Sequence, residues 1–298
     1  MANYKQILYY LKMFGRLHDV TKSIKLVAFT KFKKIQYRIK MYNDSLISIK
    51  KFVNLTGNFM LNLKHYLIVP LTSDKGCCGS INTHLMSSLE SYLNILYSTN
   101  KRVNIALIGK KGLLFVKQRY KQEYIRYLQD LFNTSLSLIS VVKIIEEILK
   151  LVFDKCIFLF NHFNNITEQK VYYFDVLSAK NILIHMQENV NNLSISNIFW
   201  STIYLKHVFN NNIFNDLYSF FFTVILLHSL LDHEISELGG RITSMEKSSQ
   251  NALEMHDSLQ IQYNKARQSY ITNQLVEICS ASIAINSVRQ DSTLINII

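Results

Sequence analysis

Apolar side chains return in two different rhythms along this 298-residue chain. From about residue 3 to 56 they recur every three or four positions: Leu17, Val20, Ile24, Val27, then Lys31 out of character, then Ile35, Ile39, Tyr42, Leu46 and Ile49. Lysines crowd the other face, the pattern of an amphipathic helix packed along one side. Gly57 supplies its stop. Residues 241–298 hold the same rhythm with no Gly or Pro: Met245, Ser249, Ala252, His256, Leu259, Tyr263, Ala266 and Tyr270. Alternating steps of three and four mark the seam of a coiled coil. The pattern then drifts to Ile271, Leu275, Ile278, Ser282 and Ile285, as a seam does where it leaves its partner. This last segment would reach roughly 87 Å if fully helical. A helix of that length needs a companion, and the N-terminal segment is the only comparable one.

The middle of the chain follows a shorter beat. Apolar runs at 66–69 (ending at Pro70), 103–108 (ending at Gly109), 156–160 and 171–176 read as strands. Helix-like stretches at 81–97, 112–131 and 140–152 lie between them, and the alternation predicts an α/β layer. Asn-rich stretches at 189–197 and 210–212 read as surface loops, and 219–237 as a helix entering the last segment. The predicted fold class is therefore α/β with long helices: an antiparallel coiled coil of the N- and C-terminal helices, with an α/β domain inserted between them. The boundaries fall at residues 1–60, 61–210 and 211–298.

Charge changes this picture in one respect. The formal net charge of +12 is concentrated at the N-terminus, where residues 1–60 hold twelve Lys/Arg against Asp19 and Asp44, while residues 241–298 balance. Such asymmetry points to an acidic partner for the first helix. No zinc-finger, homeodomain or RNA-recognition signature accompanies it. No apolar run reaches the roughly 18 residues that span a bilayer, so no membrane span is expected. The four cysteines, Cys77, Cys78, Cys156 and Cys279, have no metal-ligand spacing and read as reduced thiols. One proline, eight glycines and abundant Asn, Ile, Phe, Tyr and Lys reflect genomic bias more than structure.

Candidate chemistry is sparse. Ser73-Asp74-Lys75-Gly76-Cys77-Cys78-Gly79 follows a strand and opens a helix, a place where phosphate can be cradled. It has neither the Walker spacing nor G-x-G-x-x-G, so it reads as a structural turn with Asp74 as a cap of the helix or turn. No histidine stands near Cys77 in a recognisable motif. The nine histidines and the carboxylates form no metal or acid–base constellation; no catalytic, cofactor-binding or metal residue is predicted.

Three stretches resemble the ATP synthase gamma family. The first is Val20-Thr21-Lys22-Ser23-Ile24-Lys25-Leu26-Val27-Ala28 with Lys31-Phe32-Lys33-Lys34. The second is Thr72-Ser73-Asp74-Lys75-Gly76-Cys77-Cys78-Gly79-Ser80-Ile81-Asn82. The third and most specific runs from Arg241-Ile242-Thr243-Ser244-Met245 through Asn251-Ala252, Leu259 and Tyr263-Asn264-Lys265-Ala266-Arg267-Gln268 to Ile271-Thr272 and Glu277-Ile278. Weaker matches follow two strands, at Ile108-Gly109-Lys110-Lys111-Gly112 and Phe160-Asn161-His162-Phe163. Residues 179–230 show almost no likeness, the family's first Met is Ile24, a family Glu is Gln274, a late Gly is Ala281, and 286–298 reads as an extension.

The resemblance implies a Rossmann-like inserted domain and a central-stalk rotor subunit of an F-type ATP synthase, which couples proton-driven ring rotation to ATP synthesis on the beta subunits. It implies a non-enzymatic chain without cofactors, whose partners are the alpha and beta subunits, the delta and epsilon stalk subunits and the membrane ring. By the same resemblance Lys22, Lys25, Lys31, Lys33 and Lys34 would face acidic loops of the beta subunits. Asp74 belongs to the second matching stretch, and Arg241, Arg267, Gln268 and Thr272 would hydrogen-bond a beta-subunit loop. Ile278 and Ile285, with Ile283 and Val288, would form an apolar tip in a hydrophobic sleeve. The expected place is the matrix side of the mitochondrial inner membrane in a divergent protist, with the bacterial plasma membrane as the alternative. Two rival functions remain open: a nucleotide-using α/β enzyme, and a basic coiled-coil protein that binds nucleic acid.

Overall fold

The structure, a computed structural model, describes residues 3–57, 63–120, 124–128, 138–182 and 211–295. The chain forms two compact units, Leu26–Ser244 and Met1–Lys25 with Met245–Ile298. Helices α1 (Asn3–Gly57) and α5 (Asn211–Ile295) contribute to both.

Residues 26–244 are built on a five-stranded sheet. The elements follow as β1 (His65–Pro70), α2 (Ile81–Ser98), β2 (Arg102–Ile108), α3 (Leu113–Arg119), β3 (Tyr124–Leu128), α4 (Leu138–Leu149), β4 (Lys155–Phe163) and β5 (Gln169–Leu177). The strand order is β3-β2-β1-β4-β5, parallel except for the antiparallel edge strand β5. The chain winds outward from β1 to β3, then returns to β1's other side, which is the doubly wound arrangement. Side-chain alternation sorts the strands onto two cores. Leu67, Val69, Ala106, Ile108, Cys156, Phe158 and Phe160 meet α4, α5 and Ala28, Phe32 and Ile35 of α1. Ile68, Val103, Ile105, Leu107 and Leu159 meet α2 and Val116 of α3. α2 reaches that core because its apolar residues Ile81, Leu85, Leu89 and Leu93 recur every fourth position on one face.

Most expected elements stand within a few residues of their predicted bounds, with three corrections. The stretch 112–131 is not one helix: α3 stops at Arg119, and 124–128 is the edge strand β3, paired with β2. Asn211 and Asn212 open α5 rather than sit in a loop; the stretch 189–197 lies outside the described residues. The third correction concerns α1. Its inward positions are Phe14, His18, Thr21, Lys25, Ala28, Phe32 and Ile35, while Leu17, Val20, Ile24 and Val27 face outward. The helix carries two stripes one residue apart, and the more apolar one is not the one the chain itself covers.

In the other unit the two helices run antiparallel. Tyr4 stacks on Tyr270 with ring centroids 5.0 Å apart. His18 Nδ1 lies 3.0 Å from Ser249 Oγ. Lys25 Nζ meets Glu246 Oε1 at 2.6 Å. On α5 the turned-in positions are Met245, Ser249, Ala252, His256, Leu259, Tyr263, Ala266 and Tyr270, the seam read from the sequence. Past Tyr270, every described side chain through Ile285 is exposed.

Candidate functional site

In doubly wound sheets a ligand sits at the carboxyl ends of the strands where the winding reverses, here between β1 and β4. The chain fills that place itself. β4 runs past the end of β1, whose last pairing is Pro70 with Leu159. Onto this overhang α5 lays Asp232, which faces the His162 ring and accepts from Phe163 N at 3.3 Å. Ser236 Oγ donates to Asn161 O at 2.9 Å. Gly240 brings α5 against the turn after β1, where a Cβ would lie 2.6 Å from Cys78 O, and Gly239 brings it against the end of β4, where a Cβ would lie 3.3 Å from the Phe163 ring. Two adjacent glycines weaken an exposed helix, yet here they let it pass through a gap too narrow for side chains.

The Gly-rich turn is turned inward as well. Ser73 Oγ donates to Lys75 O at 3.0 Å, and Asn82 closes on Ser73 through both its side-chain oxygen and nitrogen. Thr72 Oγ1 donates to Ile108 O at 2.9 Å, and Lys111 N donates to Ser73 O at 3.0 Å. Asp74 Oδ1 accepts from Lys110 N at 3.0 Å, so it fastens the neighbouring turn instead of capping α2. Gly109, at φ +95°, passes so close to Thr72 that a Cβ would lie 1.8 Å from its carbonyl oxygen. The backbone N–H groups of Thr72, Lys110, Lys111 and Gly112 are engaged between the two turns, and that of Ser73 by Asn82. Among the described residues no group of three His, Cys, Asp or Glu is placed to hold a metal ion.

Titratable groups gather instead on the buried part of α5. Burial pulls His233 down to about 4, with Asp232 pulling the other way. Burial, then Glu237, pushes Glu234 up to about 7 against the pull of Arg38 and Lys31. Burial raises Glu237 despite Arg241, whose guanidinium reaches both Glu237 and Gly76 O, the latter at 3.3 Å from its Nη2.

Of the residues singled out from the sequence, Lys22, Lys31, Lys33 and Lys34 are exposed on α1. Lys33 lies 4.8 Å over the Phe29 ring, and Lys25 is half-buried in its pair with Glu246. Arg267, Gln268, Thr272, Ile278 and Ile285 are all exposed on α5; Thr272 Oγ1 donates to Gln268 O one turn back. Asp74 and Arg241 come together at the turn after β1, with Arg241 largely enclosed at 12% side-chain exposure. Sequence reasoning missed two groups. One is the inward series Phe14, His18, Thr21, Ala28 and Phe32; the sequence pattern points instead to Leu17, Val20, Ile24 and Val27, which with Tyr10 and Met13 form an outward series in steps of three and four. The other is the keyed stretch from Asp232 to Arg241; its only sequence signal is the Glu237–Arg241 spacing of one helical turn.

The family model described as ATP synthase matches residues 3–285. This chain belongs to the ATP synthase gamma family. It is 27% identical over 281 residues to the mitochondrial ATP synthase subunit gamma of Arabidopsis thaliana, covering 94% of this chain and 84% of that protein. With the ATP synthase gamma chain of Christiangramia forsetii the identity is 28% over 301 residues, covering 96% and 100%. Among solved structures, a chain of the Euglena gracilis mitochondrial ATP synthase (OSCP/F1/c-ring) superposes with a TM-score of 0.76 at 20% identity, covering 96% of each. A chain of the Tetrahymena thermophila central stalk and c-ring gives 0.59 at 21%, covering 77% of this chain and 99% of that one. The likeness bears out the expected fold class, terminal helices paired as a coiled coil with an inserted Rossmann-like domain.

Proposed function

We propose that this gamma-family chain is the central-stalk rotor of an F-type ATP synthase, turning with the membrane ring inside the alpha–beta hexamer and carrying no catalytic site of its own. The observation that carries the reading is the double stripe of α1. His18, Thr21 and Lys25 face α5, which leaves Leu17, Val20 and Ile24, flanked by exposed lysines, for other molecules. Exposed apolar series of this kind mark interaction surfaces. Apolar burial is non-directional, so a surrounding sleeve can hold such a face while it turns. Exposed Lys–carboxylate pairs contribute only about 0–1 kcal/mol each, enough to guide a shaft without locking it.

In this reading Lys22, Lys31, Lys33 and Lys34 meet acidic loops of the beta subunits in turn. Arg267, Gln268 and Thr272 hydrogen-bond one beta subunit at a time, and Ile278 and Ile285 run in the apolar sleeve. An asymmetric shaft contacts three catalytic sites differently at any instant and so biases them toward different states. The nucleotide-enzyme rival loses its site, because the switch-point crevice holds the chain's own α5. No helix among the described residues is long and apolar enough to cross a membrane. The chain acts as a peripheral subunit on the matrix face of the mitochondrial inner membrane, in keeping with the mitochondrial assemblies it resembles.

Gentle purification from the native membrane tests this. Recovery in one complex with alpha, beta, delta and epsilon subunits and the ring is the expected result. Recovery alone, or with RNA at moderate salt, would end the proposal.

A further inference from the structure

We infer that residues 232–241 of α5 are the torque-bearing joint of this rotor, the place where rotation of the sheet is passed to the helix. The inference rests on the rotor reading and adds a role to a stretch in which only Arg241 was expected to meet a partner. A rotor is loaded in torsion, which tends to roll a helix about its own axis or slide it along the sheet. Apolar packing resists separation but has little directional preference. Hydrogen bonds to fixed backbone atoms do have one.

The two kinds of contact are unevenly spread along α5. From Tyr218 to Leu231 its inward side chains are mainly apolar, and Tyr218 OH donates to Leu177 O at 3.0 Å. Between 232 and 241, Ile235 and Leu238 stay in the core, and polar contacts aimed largely at backbone are added. Asp232 takes Phe163 N, Ser236 gives to Asn161 O, and Arg241 gives to Gly76 O. Glu237 holds the Arg241 guanidinium, and Asp232 also faces His162. Asp232, Ser236 and Glu237 are at most 6% exposed, where low local dielectric strengthens such bonds.

Their placement around the helix matters more than their number. At about 100° per residue, Asp232, Ser236 and Gly239 lie within one sector, while Gly240, Glu237 and Arg241 lie in another, centred roughly 125° further round. The first set meets the end of β4 and the second the turn after β1. A helix held on two sides cannot roll without breaking one set. Gly240 brings the α5 backbone against the Cys78 carbonyl, and Gly239 brings it against the Phe163 ring.

The test uses the complete membrane-bound complex carrying the triple variant Asp232→Asn, Ser236→Ala and Glu237→Gln. Proton pumping and ATP hydrolysis are measured together as the opposing proton gradient is raised. Hydrolysis is expected to persist while protons pumped per ATP fall about threefold under load, since the ties of Asp232 and Ser236 to β4 and the brace of Glu237 on Arg241 are all weakened. Phe222→Leu, which loosens apolar packing in the same helix, should lower thermal stability and leave the ratio unchanged. An unchanged ratio under load in the triple variant overturns the joint, and so does an equal fall with Phe222→Leu. Should the triple variant fail to assemble, Ser236→Ala alone removes one hydroxyl and must still show a smaller load-dependent fall; no fall overturns the joint. A complex lacking this chain that pumps normally would instead sink the rotor reading.

Discussion

Helix α5 leads two lives along one unbroken backbone. From Tyr218 to Met245 most of its residues are buried or half-buried, with Phe222, Leu226, Leu230 and Ser236 fully enclosed. From Ile271 to Ile285 no side chain is covered, although Ile271, Leu275, Val276, Ile278, Ile283 and Ile285 are large and apolar. The first stretch is specified by what the chain itself provides. The second has the composition of a buried helix and none of the cover, so its apolar content answers to something outside the chain. Substitutions in the two stretches should therefore fail in different ways.

The largest effect is expected at Phe222, which is fully buried with its ring against Phe153, Phe158 and Tyr218. Phe222→Ala should cost about 3–5 kcal/mol of unfolding free energy in denaturant titration. A loss under about 1 kcal/mol would mean that the enclosed stretch is not a packed core.

Next in size is a pH effect confined to the enclosed stretch. Between pH 4.5 and about 7 the folded chain keeps a proton on Glu234 that the unfolded chain has released, so raising the pH removes stability. Between about 4 and pH 6.5 the unfolded chain binds a proton on His233 that the folded chain refuses, so lowering the pH removes stability. Each is worth about 3 kcal/mol, and where the windows overlap they offset. Glu234→Gln leaves only the histidine limb. Its stability should fall between pH 6.5 and 4 more steeply than that of the parent, and parallel curves would refute the pairing.

Glycines give a smaller contrast. Gly240→Ala places a methyl against Cys78 O and should destabilise by about 1–3 kcal/mol. Gly15→Ala meets nothing nearer than the His256 ring at 3.7 Å and should stabilise by about 0.5–1 kcal/mol. Thermal unfolding of both variants decides it, and equal signs would break the comparison. The smallest stability effect belongs to the uncovered stretch. Ile278→Ser with Ile285→Ser should stay within about 0.5 kcal/mol per site yet slow ATP synthesis by the assembled enzyme. Loss of stability without loss of synthesis would place these residues in a core.

How much of this was legible in the chain depended on how many partners each segment has. The α5 seam from Met245 to Tyr270 faces one helix and carries one stripe, so its spacing could be read directly. α1 carries two, and the reading followed Leu17, Val20, Ile24 and Val27 because hydrophobicity reports burial in the finished assembly, not within one chain. His18, Thr21 and Ala28 are small or polar and gave no sign that they turn inward. β3 was hidden because Tyr124-Ile-Arg-Tyr-Leu sits at the sheet edge, where half the pairing that makes a strand is missing. The joint at 232–241 was invisible because its partners are largely backbone atoms of β4 and of the turn after β1, close only after folding.

The outward stripe of α1 also bears on how the chain is handled in a cell. A copy made in excess would leave Tyr10, Met13, Leu17, Val20 and Ile24 wetted along several helical turns. Such a surface attracts chaperones and proteases, so orphan copies should be short-lived and the supply of this chain should track that of the molecules that cover it.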